Sequence, residues 1–278
     1  MSSLKLLYKL TRLEQCFIAA ISTWLITLLN DGNSWFTNEN IFPALCLFFS
    51  CLGANLFHYG MKWRMYQEKY WNPIIIRRPH LLKILGLSSF VVAGIIATIW
   101  INSTICFIFL GLFFLVIFFY PIILDRRWPW KNLSIAFCCL SPVVVGYTAA
   151  NPGKNLLAWS IACVVFFVYL ASEIIKDIDD QPVDQGRRIT MVMAIGEYRA
   201  IRIAFNLILV AMGVIINILI HSSLATISSI FYLLGIISLA YYGSKLITSP
   251  KTMVPRYQLL DISILCLMLA VFTAQIPL

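Results

Sequence analysis

Charge is scarce in this chain. Asp, Glu, Lys and Arg make up 12% of its 278 residues, about half of what a soluble domain carries, while 60% are hydrophobic and the mean hydropathy is +0.86. That balance excludes a water-soluble globule, and it equally excludes a disordered chain, which needs low hydrophobicity and high charge. Histidine is limited to His58, His80 and His221, scattered along the sequence, and no two cysteines have C-x-x-C spacing. A structural zinc site therefore lacks a ligand set. The eight cysteines, Cys16, Cys46, Cys51, Cys106, Cys138, Cys139, Cys163 and Cys266, all fall in apolar stretches and read as small packing residues, not a disulfide framework. Short repeats, low-complexity tracts and long polar linkers are also missing, so one domain over 1–278 is expected.

What is abundant is apolar sequence in long runs. A bilayer core takes about 20 apolar residues per helix, and nine stretches approach that length: 13–30, 41–61, 82–102, 104–124, 132–150, 156–176, 200–221, 224–247 and 258–277. Turn-forming groups separate them, including Asn30-Asp31-Gly32-Asn33, Asn102-Ser103, Asn151-Pro152-Gly153, His221-Ser222-Ser223 and Ser249-Pro250. Irregular backbone is too costly in lipid. The expected fold class is therefore all-α, a polytopic bundle of nine transmembrane helices. Lys5, Lys9 and Arg12 ahead of the first run imitate a signal peptide, but no small-residue cleavage site follows Leu29, and the segment is read as a retained helix.

Twenty-one Lys and Arg against twelve Asp and Glu give a net charge of +9. In a membrane protein such an excess reports topology before it suggests nucleic acid, because basic residues collect in cytoplasmic loops. With the N-terminus inside, 20 of the 21 basic residues fall on the inner side and only Lys154 falls outside. The expectation is a cytoplasmic N-terminus, a C-terminus on the opposite side, and chemistry on the cytoplasmic face.

Acids are the rarest charged groups, yet Glu173, Asp177, Asp179, Asp180 and Asp184 fall within twelve positions at the inner end of the sixth run. On a helix Glu173, Asp177 and Asp180 share a face, and Pro182 should end that helix at or before Gln181, leaving Asp184 to fold back. Carboxylates this close repel by about 4 kcal/mol per pair at 4 Å and an effective dielectric of about 20. A hard divalent cation held by carboxylate oxygens, water and phosphate offsets that repulsion. Arg187 and Arg188 just downstream offer forks suited to phosphate oxygens. The plainer alternative is a solvated loop balanced by neighbouring Lys and Arg. An EF-hand is excluded, since Pro182 stands where its sharp-turn Gly belongs.

Asp177, Asp180 and Asp184 follow the pattern D-x-x-D-x-x-x-D, and here the sequence resembles the UbiA superfamily of intramembrane prenyltransferases. The flanking Glu173-Ile174-Ile175-Lys176-Asp177-Ile178, then Gly186-Arg187-Arg188-Ile189-Thr190 and Gly196, look most like the branch with geranylgeranylglyceryl phosphate synthases. Tyr120 and Asn132 also resemble family positions. The resemblance implies Mg²⁺ held by Asp177, Asp180 and Asp184 as the catalytic carboxylates. It further implies an isoprenyl diphosphate donor and a lipid or aromatic acceptor.

The family's other acidic motif, N-x-x-x-D-x-x-x-D, is not reproduced. If Asn55 is its Asn, Tyr59 and Trp63 occupy the aspartate slots, and a shift by one turn places Lys62 and Tyr66 there. Fixed cations are then expected to carry diphosphate charge, with Lys62 and Arg64 the candidates beside Arg187 and Arg188. Arg77 and Arg78 share the loop. His58 is read as a hydrogen-bonded core residue ahead of a catalytic base. The alternative to an enzyme is a diverged, non-catalytic member that binds an isoprenoid lipid or a partner.

Overall fold

The computed structural model describes residues 11–31, 36–62, 78–150, 156–186, 188–221, 226–248 and 258–273. Among these there is no strand, only an isolated parallel bridge between Arg127 and Ile189. The helices are α1 (Leu13–Asp31), α2 (Asn38–Met61), α3 (Pro79–Trp100), α4 (Thr104–Phe119), α5 (Trp130–Cys139), α6 (Ser141–Ala150), α7 (Leu156–Asp179), α8 (Gln181–Asp184), α9 (Met191–Ile195), α10 (Glu197–His221), α11 (Thr226–Thr248) and α12 (Gln258–Thr273). A short 3-10 turn, Leu124–Arg126, precedes α5.

Each of the nine apolar stretches contains helix, but the breaks differ from a uniform set of spans. Among the described residues α2, α3, α7, α10 and α11 are long and apolar enough to cross a bilayer alone. A sixth span results if α5 and α6, bent by 41° at Leu140, are counted together. The bend has a local cause. Pro142 has no N–H to give the carbonyl of Cys138, and the Ser141 hydroxyl donates to that carbonyl instead at 2.6 Å. The α4 helix is shorter than expected, 16 residues. The Ser103 side chain caps its start by accepting from the Cys106 N–H, and Pro121 cannot continue its hydrogen-bond ladder.

The chain forms two compact units, Met1–Ile122 with Val145–Pro152, and Ile123–Val144 with Gly153–Leu278. In the first, α2 packs against α1 and α3, and the α2–α3 contact is made through glycine. A Cβ on Gly53 would lie 2.9 Å from the Gly86 carbonyl oxygen, and one on Gly86 would lie 2.7 Å from the Phe57 nitrogen. With little hydrophobic drive between helices in lipid, such backbone approach is what membrane packing relies on.

In the second unit α7 packs against α5 and α10, α10 against α11, and α11 against α12. The buried residues of α10 are Ala200, Ile201, Ala204, Ile208, Ala211, Ile215 and Ile218, a stripe at helical spacing in which alanines permit close contact. Ser238 and Ser263 share a 2.5 Å hydrogen bond between α11 and α12. Elsewhere large apolar side chains face outward. Ile84, Val91, Ile95 and Ile99 on α3 are all more than half exposed, a surface suited to lipid. No disulfide joins any of the eight cysteines, all of which lie among the described residues. The molecule is an all-α, multi-pass membrane protein.

Candidate functional site

The second unit gathers its buried charge at the C-terminal end of α7. The apolar stripe of that helix, Val164, Val168, Ala171, Ile174 and Ile175, gives way to buried Glu173 and Asp177. Helical hydrogen bonding carries past the last α7 residue, since the Asp180 N–H donates to the Lys176 carbonyl at 2.9 Å. Pro182 then stands near the start of α8, where a missing N–H costs nothing. The Asp184 N–H donates to the Asp180 carbonyl at 3.0 Å, so Asp184 sits on a one-turn helix and not on an open loop. Gly186 follows at φ 78, a left-handed conformation that glycine adopts at no steric cost.

Asp177 has a fully buried side chain and is met from α5 by two partners. The Lys131 ammonium, itself 4% exposed, makes a short ion pair with Oδ1. The Asn132 amide donates to Oδ2 at 3.0 Å. Lys176 reaches back to Oε1 of Glu173 at 3.3 Å.

Asp180 and Asp184 belong to a second group centred on Arg188. Its Nε lies 2.7 Å from Oδ2 of Asp184, an ion contact without hydrogen-bond alignment. Its NH2 lies 4.0 Å from Oδ2 of Asp180, and its NH1 donates at 3.0 Å to Oδ1 of Asp125, from the turn before α5. The backbone holds this group together as well. The Trp128 N–H donates to the Ile189 carbonyl at 3.0 Å, and the Ile189 N–H donates to the Arg126 carbonyl at 3.2 Å. Thr190 then caps α9 by accepting from the Met193 N–H.

The three motif aspartates thus divide, Asp177 to Lys131 and Asn132, Asp180 and Asp184 to Arg188. Among the described residues no three acidic, histidine or cysteine side chains are grouped to hold one metal ion. Two features nonetheless suit a cation. Glu173 Oε2 and Asn132 Oδ1 are buried acceptors with no hydrogen-bond partner among the described residues. In addition, five carboxylates (Asp125, Glu173, Asp177, Asp180, Asp184) are gathered here, and among the described residues Lys131, Lys176 and Arg188 pair with them. Clustered hard oxygen donors are the donor chemistry of a divalent ion such as Mg²⁺.

Other expected residues fall elsewhere. Arg187 and Arg64 lie outside the described residues, as do Trp63, Tyr66 and Arg77. Lys62, at the end of α2 in the first unit, donates its backbone N–H to the His58 carbonyl at 2.9 Å. Asn55 is committed locally, its amide donating to the Thr11 carbonyl at 3.1 Å. Tyr59 is buried with the Arg12 guanidinium 5.9 Å from its ring centroid, and the His58 ring lies 5.6 Å from that of Tyr120. Sequence reasoning counted Lys131 only toward topology and passed over Asp125. The signal for Asp125 was the one used for the motif itself, an acid in a chain with few of them.

No match to this sequence is found among curated proteins. Among solved structures, a digeranylgeranylglyceryl phosphate synthase superposes with a TM-score of 0.82 at 18% identity, covering 100% of both chains. A UbiA homologue from Archaeoglobus fulgidus bound to DMAPP and Mg²⁺ gives a TM-score of 0.73 at 11% identity, covering 96% of this chain and 98% of that one. A UbiA homologue from Aeropyrum pernix K1 gives 0.71 at 13% identity, covering 91% and 96%. These likenesses establish the fold. Residues 76–257, a stretch that includes the whole carboxylate cluster, match the UbiA prenyltransferase family, and the chain belongs to that family.

Proposed function

We propose that the protein is an intramembrane prenyltransferase that moves an isoprenyl group from its diphosphate to a lipid or aromatic acceptor. The observation that carries this reading is the carboxylate-rich cluster at the end of α7, with Asp125, Glu173, Asp177 and Asp184 buried, built on the family's acidic motif. Similar folds have been solved with DMAPP or GPP and Mg²⁺ bound, which supports an isoprenyl diphosphate and Mg²⁺ here.

Asp177, Asp180 and Asp184 are the residues that would hold Mg²⁺. The chemistry such an ion supplies is neutralisation of charge on a departing diphosphate. Lys131 and Asn132 fix the Asp177 carboxylate, so the cluster does not have to organise when substrate arrives, which is the economy of a preorganised electrostatic site. Arg187 and Arg188 stand next in sequence to contact phosphate oxygens. Lys62 and Arg64 are proposed as further diphosphate contacts, replacing charge that a second acidic motif would have recruited. The cluster is read as facing the cytoplasm, from the distribution of Lys and Arg.

A second reading is favoured by one observation. Asn55 and Tyr59, where the other acidic motif would begin, are occupied with Thr11 and Arg12, and no carboxylate lies between Leu56 and Gln67. On that reading the chain binds an isoprenoid lipid or a partner without turnover. The deciding experiment supplies the purified protein in nanodiscs with a panel of isoprenyl diphosphates, Mg²⁺ and lipid or aromatic acceptors. Diphosphate release with a prenylated product is expected, falling at least about 100-fold in Asp180→Asn and Asp184→Asn. Retained isoprenoid binding with no product across the panel would establish the second reading.

A further inference from the structure

Arg188 presents three nitrogens to three carboxylates from two separate segments. Nε meets Asp184 at 2.7 Å, NH2 stands 4.0 Å from Asp180, and NH1 binds Asp125 at 3.0 Å. Two of these acids belong to the family motif. Asp125 does not, and it comes from the turn ahead of α5. Its side chain is 4% exposed, so its charge is strongly committed, whereas Asp180 at 32% and Arg188 at 21% remain open to solvent. The segment bearing Arg188 is pinned to that same turn by the Trp128–Ile189 and Ile189–Arg126 backbone hydrogen bonds. Side chain and main chain therefore tie Arg188 to Asp125 independently.

In this arrangement the guanidinium stands where charge on Asp180 and Asp184 has to be neutralised, and a divalent ion at that pair must compete with it. We propose that Arg188 is the resting counter-ion of the Asp180–Asp184 pair, and that Asp125 is the positioning residue to which Arg188 stays tethered when a divalent cation takes the pair. The exchange moves no covalent bond. One nitrogen keeps its carboxylate, and the others turn from Asp180 and Asp184 to whatever anion accompanies the cation. Asp125 thereby weakens the internal competitor for the metal without being a metal ligand. The inference rests on the reading of Asp180 and Asp184 as a cation site.

The test measures Mn²⁺ affinity of the full-length protein in nanodiscs, by electron paramagnetic resonance and with no substrate present. Arg188→Gln removes the competitor and is expected to tighten Mn²⁺ by about fivefold or more. Asp125→Asn removes the tether and leaves the guanidinium facing Asp180 and Asp184, and is expected to weaken Mn²⁺ by about threefold or more; Asp125→Glu should restore it. Because Asp125 acts through Arg188, the Asp125→Asn effect should be largely lost in the Arg188→Gln background. The double variant also removes the Asp125 carboxylate that the single Arg188 variant would strand, and a thermal melt of each variant checks that it is folded. A full-sized Asp125→Asn effect without Arg188 would show that Asp125 acts through its own charge and would overturn the tether. Unchanged Mn²⁺ affinity in both single variants would overturn the exchange while leaving the metal site standing. Failure of wild type to bind Mn²⁺ at millimolar concentration would remove both the exchange and the cation site beneath it.

Discussion

A lysine buried to 4% against a fully buried carboxylate is an arrangement in which loss of either partner is worse than loss of both. Removing two ions from water is offset only by their attraction and the surrounding hydrogen bonds, here the Asn132 amide on Oδ2. Lys131→Met leaves Asp177 charged and buried, and a loss of about 3 kcal/mol is expected. The paired change Lys131→Met with Asp177→Leu should recover most of it. Thermal unfolding in detergent, followed for wild type, the single variant and the double variant, checks this. A single variant as stable as wild type would show that the pair is not buried in the folded protein. At this scale the sequence disclosed the site unevenly. Asp177, Asp180 and Asp184 were legible because acids are few and these are close in sequence. The partners of the cluster were not, because Lys131 lies 46 residues from Asp177 and Asp125 lies 63 from Arg188, separations that leave no local periodicity to read.

Helices were more legible than the residues they bring together. Long apolar runs mark every one of the nine stretches, since burying backbone in lipid demands helix, and Pro182 marked the end of α7. Proline also explains the bend at Leu140 and the short α4: Pro142 and Pro121 lie inside apolar runs, and run length counts apolar residues without registering a missing donor. Packing between helices depends on small residues that composition alone does not distinguish. Gly86 and Gly94 illustrate this, both on α3 and both glycine, the first pressed against Phe57 and the second with nothing within 4 Å. Gly86→Ala should lower stability by about 1–3 kcal/mol, since the obstructing atom is backbone nitrogen and cannot turn aside. Gly94→Ala should cost nothing and gain up to about 1 kcal/mol from helix propensity. Parallel thermal melts of the two variants separate the cases, and equal destabilisation would contradict the α2–α3 contact described.

For the whole molecule, the orientation we propose is argued from charge. Moving a basic loop across a membrane during insertion is disfavoured, so Lys and Arg accumulate on the side the chain enters from. A division of 20 to 1 with Lys154 as the exception is far from the even split that random placement would give. The topology it supports has the segments around residues 128, 185 and 252 on one side with the N-terminus. That topology also places residues 128 and 154 on opposite sides, which the bent α5–α6 pair meets only if it passes through the bilayer as one span. Single-cysteine labelling tests both points, in a background where the eight native thiols are replaced. Because Cys16, Cys46 and Cys106 are fully buried, alanine or serine of similar volume is the replacement that preserves packing. Cysteines at 128 and 185 should react with a membrane-impermeant maleimide only from the cytoplasmic side, and one at 154 only from the opposite side. Should 154 and 185 label from the same side, α7 would not cross the membrane, and the proposed cytoplasmic placement of the carboxylate cluster would fall. Should 128 and 154 label from the same side, the α5–α6 pair would instead enter and return as a re-entrant hairpin.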